Sequence, residues 1–483
     1  MIKSLLFSTL TVLICGGHAF GAPTASQAVD VFIAQSTSGS TWESYRYLVS
    51  AKTGQEHHLD VDIHQTPCWI DHMTSLKSIA VVDCPNTQSD VDWIKQLAGL
   101  RSVKWVDANY HISVDATPND LKNSQWHLRN TGQKIGNQHG LEGADISATV
   151  AWDTQVGDKS IVVAIPDTGL YLEHQDLQNN IWTNPGEICW NGTDDDGNGY
   201  IDDCNGWDFG NNDPDISPLD ITPASDCPIG HGTFIAGLIG ADTVTDSGLA
   251  GLNWNVTMMP IKLATSEDCG ITATALLDSL LYARDNGADI ISTSFRFTEY
   301  IEAIETGFAA VSDAGLIVTI AAGNQSVNVD DVDTYPIDFY HSGTLVIGAS
   351  TNIDEAADFS NYGHQVDLFA PGHTLRSLGT GHDNEMVWGS GTSYSAPLAA
   401  GTAALLLSEE PTLTARHIIH AIRMSADILP ILDCEFNSIC AGTSGRLNAA
   451  EALTIVDQMT ASPYPAIHSV RFRDQVGEAP GDG

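Results

Sequence analysis

The chain has 483 residues, with 20 Lys and Arg against 61 Asp and Glu, so its formal net charge is −41. A protein with this charge repels phosphate groups, which argues against binding of DNA, RNA or anionic lipid. Disorder is also disfavoured, because 42% of the residues are hydrophobic and the chain holds 11 Trp, 12 Tyr and 13 Phe. The length predicts roughly two to four domains.

Residues 1–21 have the pattern of a signal peptide. Lys3 supplies a positive charge, the run from Leu5 to Cys15 is apolar, and Ala19 and Gly21 suit a signal-peptidase cut. We therefore expect an exported protein, either extracellular or periplasmic. A buried first helix is the alternative. The run is too short to span a bilayer comfortably and no later stretch is long enough, so we predict no membrane span.

Eight cysteines remain if Cys15 leaves with the signal peptide, and an even number favours disulfides in an exported chain. Pairing between neighbours along the sequence would give four bridges: Cys68–Cys84, Cys189–Cys204, Cys227–Cys269 and Cys434–Cys440. Spacing alone leaves other pairings open. The absence of any CxxC pair argues against a zinc knuckle.

The early part of the chain, residues 22–115, reads as a small α+β unit. Strand-like runs occur at 45–51, 78–84 and 102–112, and a helix is predicted at 90–100. The sequence pattern changes at Ile161, where a longer series of alternating strand-like and helix-like segments begins.

From that point, short apolar runs alternate with helical stretches. The strand candidates are 161–167, 257–263, 289–295, 316–323 and 344–350, and the helix candidates include 271–287 and 301–315. Strands that are apolar throughout are buried on both faces, which predicts an α/β fold with a parallel sheet between two layers of helices. Ligands of such folds bind beyond the carboxyl ends of the strands.

Three segments carry side chains suited to nucleophilic catalysis. Asp167 ends an apolar strand, His231 lies between two glycines at the start of a small-residue helix, and Ser393 opens another such helix. Each residue alone would more often be a turn former, a structural histidine or a helix cap. Together they supply a nucleophile, a base that takes its proton and a carboxylate that orients the base.

These motifs, in the order Asp, His, Ser, resemble those of the subtilisin-like serine proteases, or subtilases. The resemblance covers about residues 120–457, and some stretches are similar to the kexin-like and related bacterial branch. It implies a three-layer fold with a buried, mostly parallel sheet and hydrolysis of peptide bonds in protein or peptide substrates. Asn324, in the segment AAGN, resembles the residue of this family that binds the oxyanion.

The resemblance also implies the organisation of the chain. Residues 22–115 are similar, by position and pattern, to the inhibitory propeptide of subtilases, whose last strand, here near Tyr110 to Val114, would occupy the active site until self-cleavage. A permanent binding domain is the alternative. We expect a signal peptide at 1–21, this propeptide, a catalytic domain at 116–457 and a tail at 458–483, together forming the zymogen of a secreted, monomeric endopeptidase.

The substrate cleft is expected to include Gly323 and the run Ser294, Phe295, Arg296 and Phe297. Family members usually carry two glycines where Arg296 and Phe297 stand. Arg296 would favour acidic substrate residues if it faced the cleft, and Phe297 would narrow a pocket. Orientation of both side chains towards solvent is the favoured alternative, since alternation along a strand leaves their direction open.

Other positions also depart from the family pattern. Pro166 stands where a branched apolar residue usually precedes the Asp, and Tyr394 and Ser395 replace the commoner Met-Ala after the Ser. Proline removes one hydrogen-bond donor from a strand. These departures keep a second hypothesis open, a catalytically silent subtilase fold used for adhesion or binding.

An acidic stretch from Asn191 to Asp203 predicts a structural calcium ion. Four side chains match positions 1, 3, 5 and 9 of an EF-hand-type loop: Asp194, Asp196, Asn198 and Asp202. Asn205 stands where the EF-hand has Glu, so the match is incomplete. Oxygen ligands suit calcium better than zinc. A solvated acidic loop stapled by Cys189 and Cys204 is the alternative.

A second calcium site is suggested by the resemblance alone. Asp176 matches a family calcium ligand, but the asparagines usual in its partner loop are missing from residues 243–249.

Overall fold

A computed structural model describes residues 42–74, 77–110, 117–218, 230–243, 248–265, 270–429, 441–442 and 445–461. The expected signal peptide, the bridges Cys227–Cys269 and Cys434–Cys440, residues 111–114 of the expected last propeptide strand and tail residues 462–483 lie outside this range. The chain divides into two compact units, residues 1–114 and 115–483.

The first unit is a four-stranded antiparallel sheet with two helices. Its elements are β1 (Trp42–Ala51), α1 (Glu56–Ile63), β2 (Trp69–Met73), β3 (Ile79–Asp83), α2 (Asp90–Ala98) and β4 (Val103–Tyr110). The strand order is β2-β3-β1-β4. Ser89 caps α2 by accepting the Asp92 N–H, and Trp93, Ile94 and Leu97 on this helix join the core of the unit. The predicted Cys68–Cys84 disulfide is present.

The second unit is built on a nine-stranded sheet within the described residues. Its strands are β7 (Val162–Asp167), β8 (Trp207–Asp208), β9 (Thr257–Lys262), β10 (Ile290–Thr293), β11 (Ile317–Ala321), β12 (Thr344–Ser350), β13 (Leu368–Pro371), β16 (Asp427–Ile428) and β17 (Gly445–Arg446). Their order is β16-β17-β13-β12-β11-β10-β7-β9-β8, and every pairing except β16–β17 is parallel.

Two small ribbons, seven α-helices and a short 3-10 helix (Gln178–Asn180) complete the described part of this unit. The ribbons pair β5 (Lys134–Ile135) with β6 (Gln138–His139), and β14 (Leu375–Leu378) with β15 (Met386–Gly389). The helices are α3 (Ala148–Ala151), α4 (His231–Gly240), α5 (Ala273–Asp285), α6 (Glu302–Asp313), α7 (Thr392–Glu409), α8 (Ala415–Met424) and α9 (Ala449–Ala461).

The sheet is buried on both faces, as its apolar strands predict. Alternate residues of β7 belong to different cores: Val163 and Ile165 join a core that includes residues of α4, α7, α8 and α9, whereas Ala164 joins a core that includes residues of α5 and α6. This confirms the α/β fold with a mostly parallel sheet between helical layers.

The topology brings several chain segments to one edge of the sheet. β7, β10 and β11 are parallel neighbours, so Asp167, Ser294 and the segment after Ala321 lie at the same, carboxyl edge. The amino ends of α4 and α7 supply His231 and Ser393 there. The site is therefore located where ligands of parallel α/β sheets bind.

Candidate active site

Asp167 and His231 form the central contact of the site. Nδ1 of His231 lies 2.9 Å from Oδ1 and 3.0 Å from Oδ2 of Asp167. Gly232 permits this approach, because a Cβ there would lie 2.5 Å from the Gly169 carbonyl oxygen and 3.2 Å from Cβ of Asp167. A proton on Nδ1 that is donated to the carboxylate leaves Nε2 free to act as a base.

The environment of His231 favours the charged imidazolium. Burial acts to lower the pKa of this histidine, but the negative charge of Asp167 and its hydrogen bond outweigh burial, so the pKa is raised above its ordinary value of 6.5. A base whose charged form is stabilised in this way accepts a proton from a hydroxyl more readily.

Ser393 lies in the same cleft, an open space of about 370 Å³ also lined by Asp167, His231 and Asn324. Its hydroxyl donates a hydrogen bond to the carbonyl of Ser294, at 3.4 Å. Within the described residues no hydrogen bond joins Ser393 to His231. Catalytic hydrogen bonds often tighten only when substrate is bound, so this geometry is compatible with nucleophilic chemistry.

A proline in α7 explains how Ser393 is held against β10. Pro397 lacks an N–H, so the helical hydrogen bond to the carbonyl of Ser393, four residues earlier, cannot form. The hydroxyl of Ser294 donates to that carbonyl instead, at 3.1 Å. The nucleophile segment and the end of β10 are thus joined by two hydrogen bonds that run in opposite directions.

Asn324 is oriented by the residue before Ser393. Its side-chain oxygen accepts hydrogen bonds from the N–H of Thr392, at 2.9 Å, and from the Thr392 hydroxyl, at 3.0 Å. Because a backbone N–H can bond only to the amide oxygen, Nδ2 is the group left for a ligand. A Cβ on Gly391 would lie 3.4 Å from Nδ2.

Asn324 and Ser393 therefore offer two donors to a negatively charged oxygen. Ser393 is the second residue of α7, so its N–H has no partner within the helix. The amide of Asn324 and this N–H form the arrangement that stabilises an oxyanion in acyl transfer.

Only some of the residues predicted to form the substrate cleft line it in the structure. Ser294 and Phe295 line the cleft. The backbone of Phe297 pairs with that of Tyr335, and the two rings stack with their centroids 5.9 Å apart. The Phe297 ring is therefore packed against Tyr335 and is directed neither into the cleft nor entirely into solvent. Arg296 is half-buried, and its Cδ would lie 3.2 Å from a Cβ on Gly323.

The departures Pro166 and Tyr394 are also in the cleft wall. Pro166 keeps its place in β7, opposite Ile261 of β9, and the contact between Asp167 and His231 forms beside it. Tyr394 packs against His231. Ser395 points away and donates to the carbonyl of Ala370.

The acidic stretch contains a cluster able to hold a cation. Ligand oxygens of Glu187, Asp194 and Asp196 lie within 4.8 Å of one another. Oε2 of Glu187 is buried and has no hydrogen-bond partner within the described ranges, which is costly for a carboxylate unless a cation lies nearby. Three carboxylates suit calcium. Sequence reasoning missed Glu187, although it lies two residues before Cys189.

Two residues predicted as ligands are held in other ways. The Asp202 carboxylate accepts the N–H groups of Asn191 and Gly192, both at 2.9 Å, and lies outside the cluster. The Asn198 amide donates to Asp196 at 3.2 Å and to Asp203 at 3.0 Å. The spacing of an EF-hand therefore does not describe this loop.

The acidic loop is firmly attached to the second unit. The predicted Cys189–Cys204 disulfide is present. Asp203 is fully buried, accepts the Tyr282 hydroxyl of α5 at 2.6 Å and accepts the Asn184 amide at 2.7 Å. The loop is thus anchored at both ends.

Asp176 is also fully buried, and its Oδ2 accepts the Leu249 N–H at 3.0 Å. A Cβ on Gly248 would lie 2.2 Å from both carboxylate oxygens. The carboxylate therefore contacts the segment in which the resemblance expects a partner loop, of which residues 244–247 lie outside the described range.

The chain is similar in sequence to known proteases. The sequence model of the Subtilase family matches residues 158–457. A thermophilic serine proteinase of Bacillus sp. (strain AK1) is 30% identical over 386 residues, covering 79% of this chain and 83% of that protein. An extracellular protease of Xanthomonas campestris pv. campestris is 28% identical, covering 75% of this chain and 61% of its own length.

The fold has counterparts among solved structures. Proteases from Pseudoalteromonas arctica share it with a TM-score of 0.56 and 23% identity, over 71% of this chain and all of that one.

A parallel α/β fold with Asp, His and Ser at its carboxyl edge defines a serine hydrolase. The chain belongs to the subtilase family and is a serine endopeptidase. None of the helices in the described ranges is long and apolar enough to cross a membrane.

Proposed function

We propose that the protein is an exported, calcium-stabilised serine endopeptidase, made as a self-processed zymogen, in which Asp167, His231 and Ser393 form the catalytic triad. The observation that carries the proposal is the His231–Asp167 contact at 2.9 Å in a cleft that also contains Ser393. Export is supported by the signal-like residues 1–21 and by the extracellular relative from Xanthomonas.

In this mechanism the Ser393 oxygen attacks the carbonyl carbon of the scissile peptide while Nε2 of His231 takes the hydroxyl proton. Asp167 stabilises the imidazolium that results. The carbonyl oxygen becomes an oxyanion, which the Asn324 amide and the Ser393 N–H stabilise. His231 then gives its proton to the leaving amine, and water repeats the sequence to release the acyl group.

The calcium ion has a structural role in this proposal. Glu187, Asp194 and Asp196 would hold it, and the charge of the ion would compensate their mutual repulsion. The buried oxygen of Glu187 is the observation that favours a cation over a solvated acidic loop.

The first unit is proposed to be the inhibitory propeptide, with cleavage near residue 115. The proposal is supported by the division of the chain at residues 114 and 115. The buried residues of its small α+β core lie between Tyr47 and Ala108, and the Cys68–Cys84 disulfide staples this core.

The test is the intact mass of the purified wild type beside Ser393→Ala. We expect the wild type to lose the segment before about residue 115 and the variant to keep it. Retention of the segment by both proteins would contradict self-processing, and loss from both would assign the trimming to another protease.

Labelling with a fluorophosphonate tests the triad independently of processing. We expect wild type to be labelled and Ser393→Ala to remain unlabelled. A catalytically silent fold, in which Ser393 stays bonded to Ser294, would not be labelled in either protein.

A further inference from the structure

The ring of Tyr394 packs beside the imidazole of His231. Their centroids are 5.4 Å apart and their planes are inclined by 39°. Tyr394 follows Ser393 on α7 and lines the same cleft. The proposed reaction steps use Asp167, His231, Ser393 and Asn324 but not Tyr394.

Tyr394 is itself held in a fixed position. Its ring packs on Phe234 with centroids 4.0 Å apart. Phe234 lies three residues after His231 on α4, so both rings occupy one face of that helix. Gly389 leaves room for the ring on another side, because a Cβ there would lie 2.5 Å from Cε2 of Tyr394.

The contact between Tyr394 and His231 adds to the hydrogen bond between Asp167 and His231. Asp167 holds the imidazole at one edge, through Nδ1, and this hydrogen bond limits rotation of the ring about the Cβ–Cγ bond without contacting its other atoms. The Tyr394 ring packs beside the imidazole at an inclination of 39° and restricts that rotation further. The face of an aromatic ring also attracts a cation, so it favours the imidazolium that forms when His231 takes a proton.

Among the described residues, the charged and titratable groups that face His231 come from two elements. Asp167 of β7 is the charged group that raises its pKa, and Tyr394 of α7 is a neutral phenol, since burial and the charge of Asp167 raise the pKa of Tyr394 to about 12. Tyr394 therefore acts on His231 through its ring and not through a charge.

We propose that Tyr394 is a positioning residue of the proposed triad: its ring fixes the orientation of the His231 imidazole and stabilises the protonated form. This inference rests on the proposed function, because it assigns His231 as the catalytic base.

The experiment compares Tyr394→Leu with Tyr394→Phe. We expect Tyr394→Leu to lower kcat about fivefold with little change in KM, and to move the acid limb of kcat/KM about half a pH unit to lower pH. Tyr394→Phe keeps the aromatic ring, so its kcat and its acid limb should match those of wild type. Unchanged kcat and acid limb in Tyr394→Leu, or equal losses in both variants, would overturn the proposal.

A second measurement does not depend on activity. The titration of His231 is followed by NMR in Ser393→Ala and in Ser393→Ala with Tyr394→Leu. We expect the second protein to have the lower pKa for His231, and an equal or higher pKa would overturn the proposal. If Tyr394→Leu fails to fold, Tyr394→Met, which also lacks the ring, takes its place.

The two measurements separate the proposals. If the wild type hydrolyses no peptide and takes no label, the proposed function fails, while the NMR titration still decides whether Tyr394 stabilises the protonated histidine.

Discussion

The hydroxyl of Thr392 connects Asn324 to the backbone of its own loop. It accepts the Gly323 N–H at 3.0 Å and donates to the Asn324 side-chain oxygen at 3.0 Å. Thr392 is fully buried, so these bonds have little competition from water. The residue before the proposed nucleophile thus sets the orientation of the proposed oxyanion donor.

Replacing Thr392 by Val, which has the same shape, should lower kcat by about tenfold through loosening of Asn324. Asn324→Leu should cost more, about 10²–10³-fold, the range found for subtilisin, a member of the same family. Thr392→Ser is the matched control and should stay close to wild type. Steady-state kinetics on a peptide substrate decides the matter, and a Thr392→Val enzyme with full kcat would contradict this role.

The raised pKa of His231 has a defined consequence for activity. The base must be neutral to accept a proton, so kcat/KM falls as pH drops through this pKa, and half-maximal kcat/KM should lie above pH 6.5. Asp167→Asn removes the charge that raises the pKa while burial continues to lower it. The remaining acid limb should therefore move to lower pH, with kcat reduced about 10⁴-fold.

The measurement is a kcat/KM profile against pH, with far-UV circular dichroism at each pH to confirm that the protein stays folded. An acid limb that stays in place in Asp167→Asn would argue that Asp167 does not control the protonation of His231.

Removal of calcium should destabilise the protein. At a free calcium concentration of 100 times Kd, binding contributes about 2.7 kcal/mol to the free energy of unfolding. We expect EDTA to lower the melting temperature of wild type and Glu187→Gln to lose most of this response. Differential scanning calorimetry with and without calcium checks both expectations.

Asp195→Asn is the matched control for the calcium experiment. Its carboxylate accepts the Asn191 amide at 2.6 Å and lies outside the cluster. This variant should therefore keep the calcium response of wild type. A wild-type melting temperature that EDTA leaves unchanged would contradict the calcium site.

Arg446 should be important for stability. Its side chain is 4% exposed, forms an ion pair with Asp354, bonds to Asp427 at 2.6 Å and donates to the Gly143 carbonyl at 3.0 Å. Arg446→Met leaves a partly buried pair of carboxylates without a cation, which should cost about 3 kcal/mol. Urea unfolding measures this loss.

Arg284 provides the comparison for Arg446. It is 32% exposed and pairs with the neighbouring Asp285, which is 61% exposed. An exposed pair of this kind contributes less than about 1 kcal/mol. If Arg284→Met and Arg446→Met lower the free energy of unfolding equally, burial does not make the Arg446 ion pairs more stabilising than an exposed pair.

If the Arg296 guanidinium reaches bound substrate, it should favour acidic substrate residues. It follows Phe295 in the chain and packs beside Gly323, and the neighbours Phe295 and Asn324 both line the cleft. Arg296→Gly should lower kcat/KM for peptides that carry Glu in the bound segment, relative to matched peptides with Leu, by about tenfold, the effect of one charged hydrogen bond. Arg296→Lys keeps the charge and should lose less. An unchanged Glu-to-Leu ratio in Arg296→Gly would show that this guanidinium does not contact substrate.

Sequence reasoning was most successful where one local pattern determines one local structure. Apolar runs such as 161–167 predicted buried parallel strands, because only a strand covered on both faces is apolar throughout. Helix α5 begins at Ala273, after Thr272 caps it by accepting the Ala275 N–H, within the stretch predicted to be helical. The local disulfides Cys68–Cys84 and Cys189–Cys204 likewise follow from neighbours along the chain.

Sequence reasoning was less complete where a side chain has several possible partners. The acidic loop offers many carboxylates, and spacing selected Asp202, which instead binds the backbone of its own loop. Glu187 belongs to the cluster because the loop turns back on itself, so that Oε1 of Glu187 accepts the Asp195 N–H at 2.8 Å. The spacing of residues along the sequence does not reveal that Glu187 lies close to Asp194 and Asp196.

The sequence by itself determined the class of fold, the family and the residue types of the proposed triad, because strand periodicity and short motifs are properties of neighbouring residues. Only the tertiary structure decided which groups meet across long separations: Asp167 with His231, Asn324 with Thr392, and Tyr394 with His231. The reason is physical. Such contacts depend on the alignment of β7, β10 and β11 in one sheet and on how α4 and α7 pack at its edge, and these arrangements arise from the packing of the whole unit.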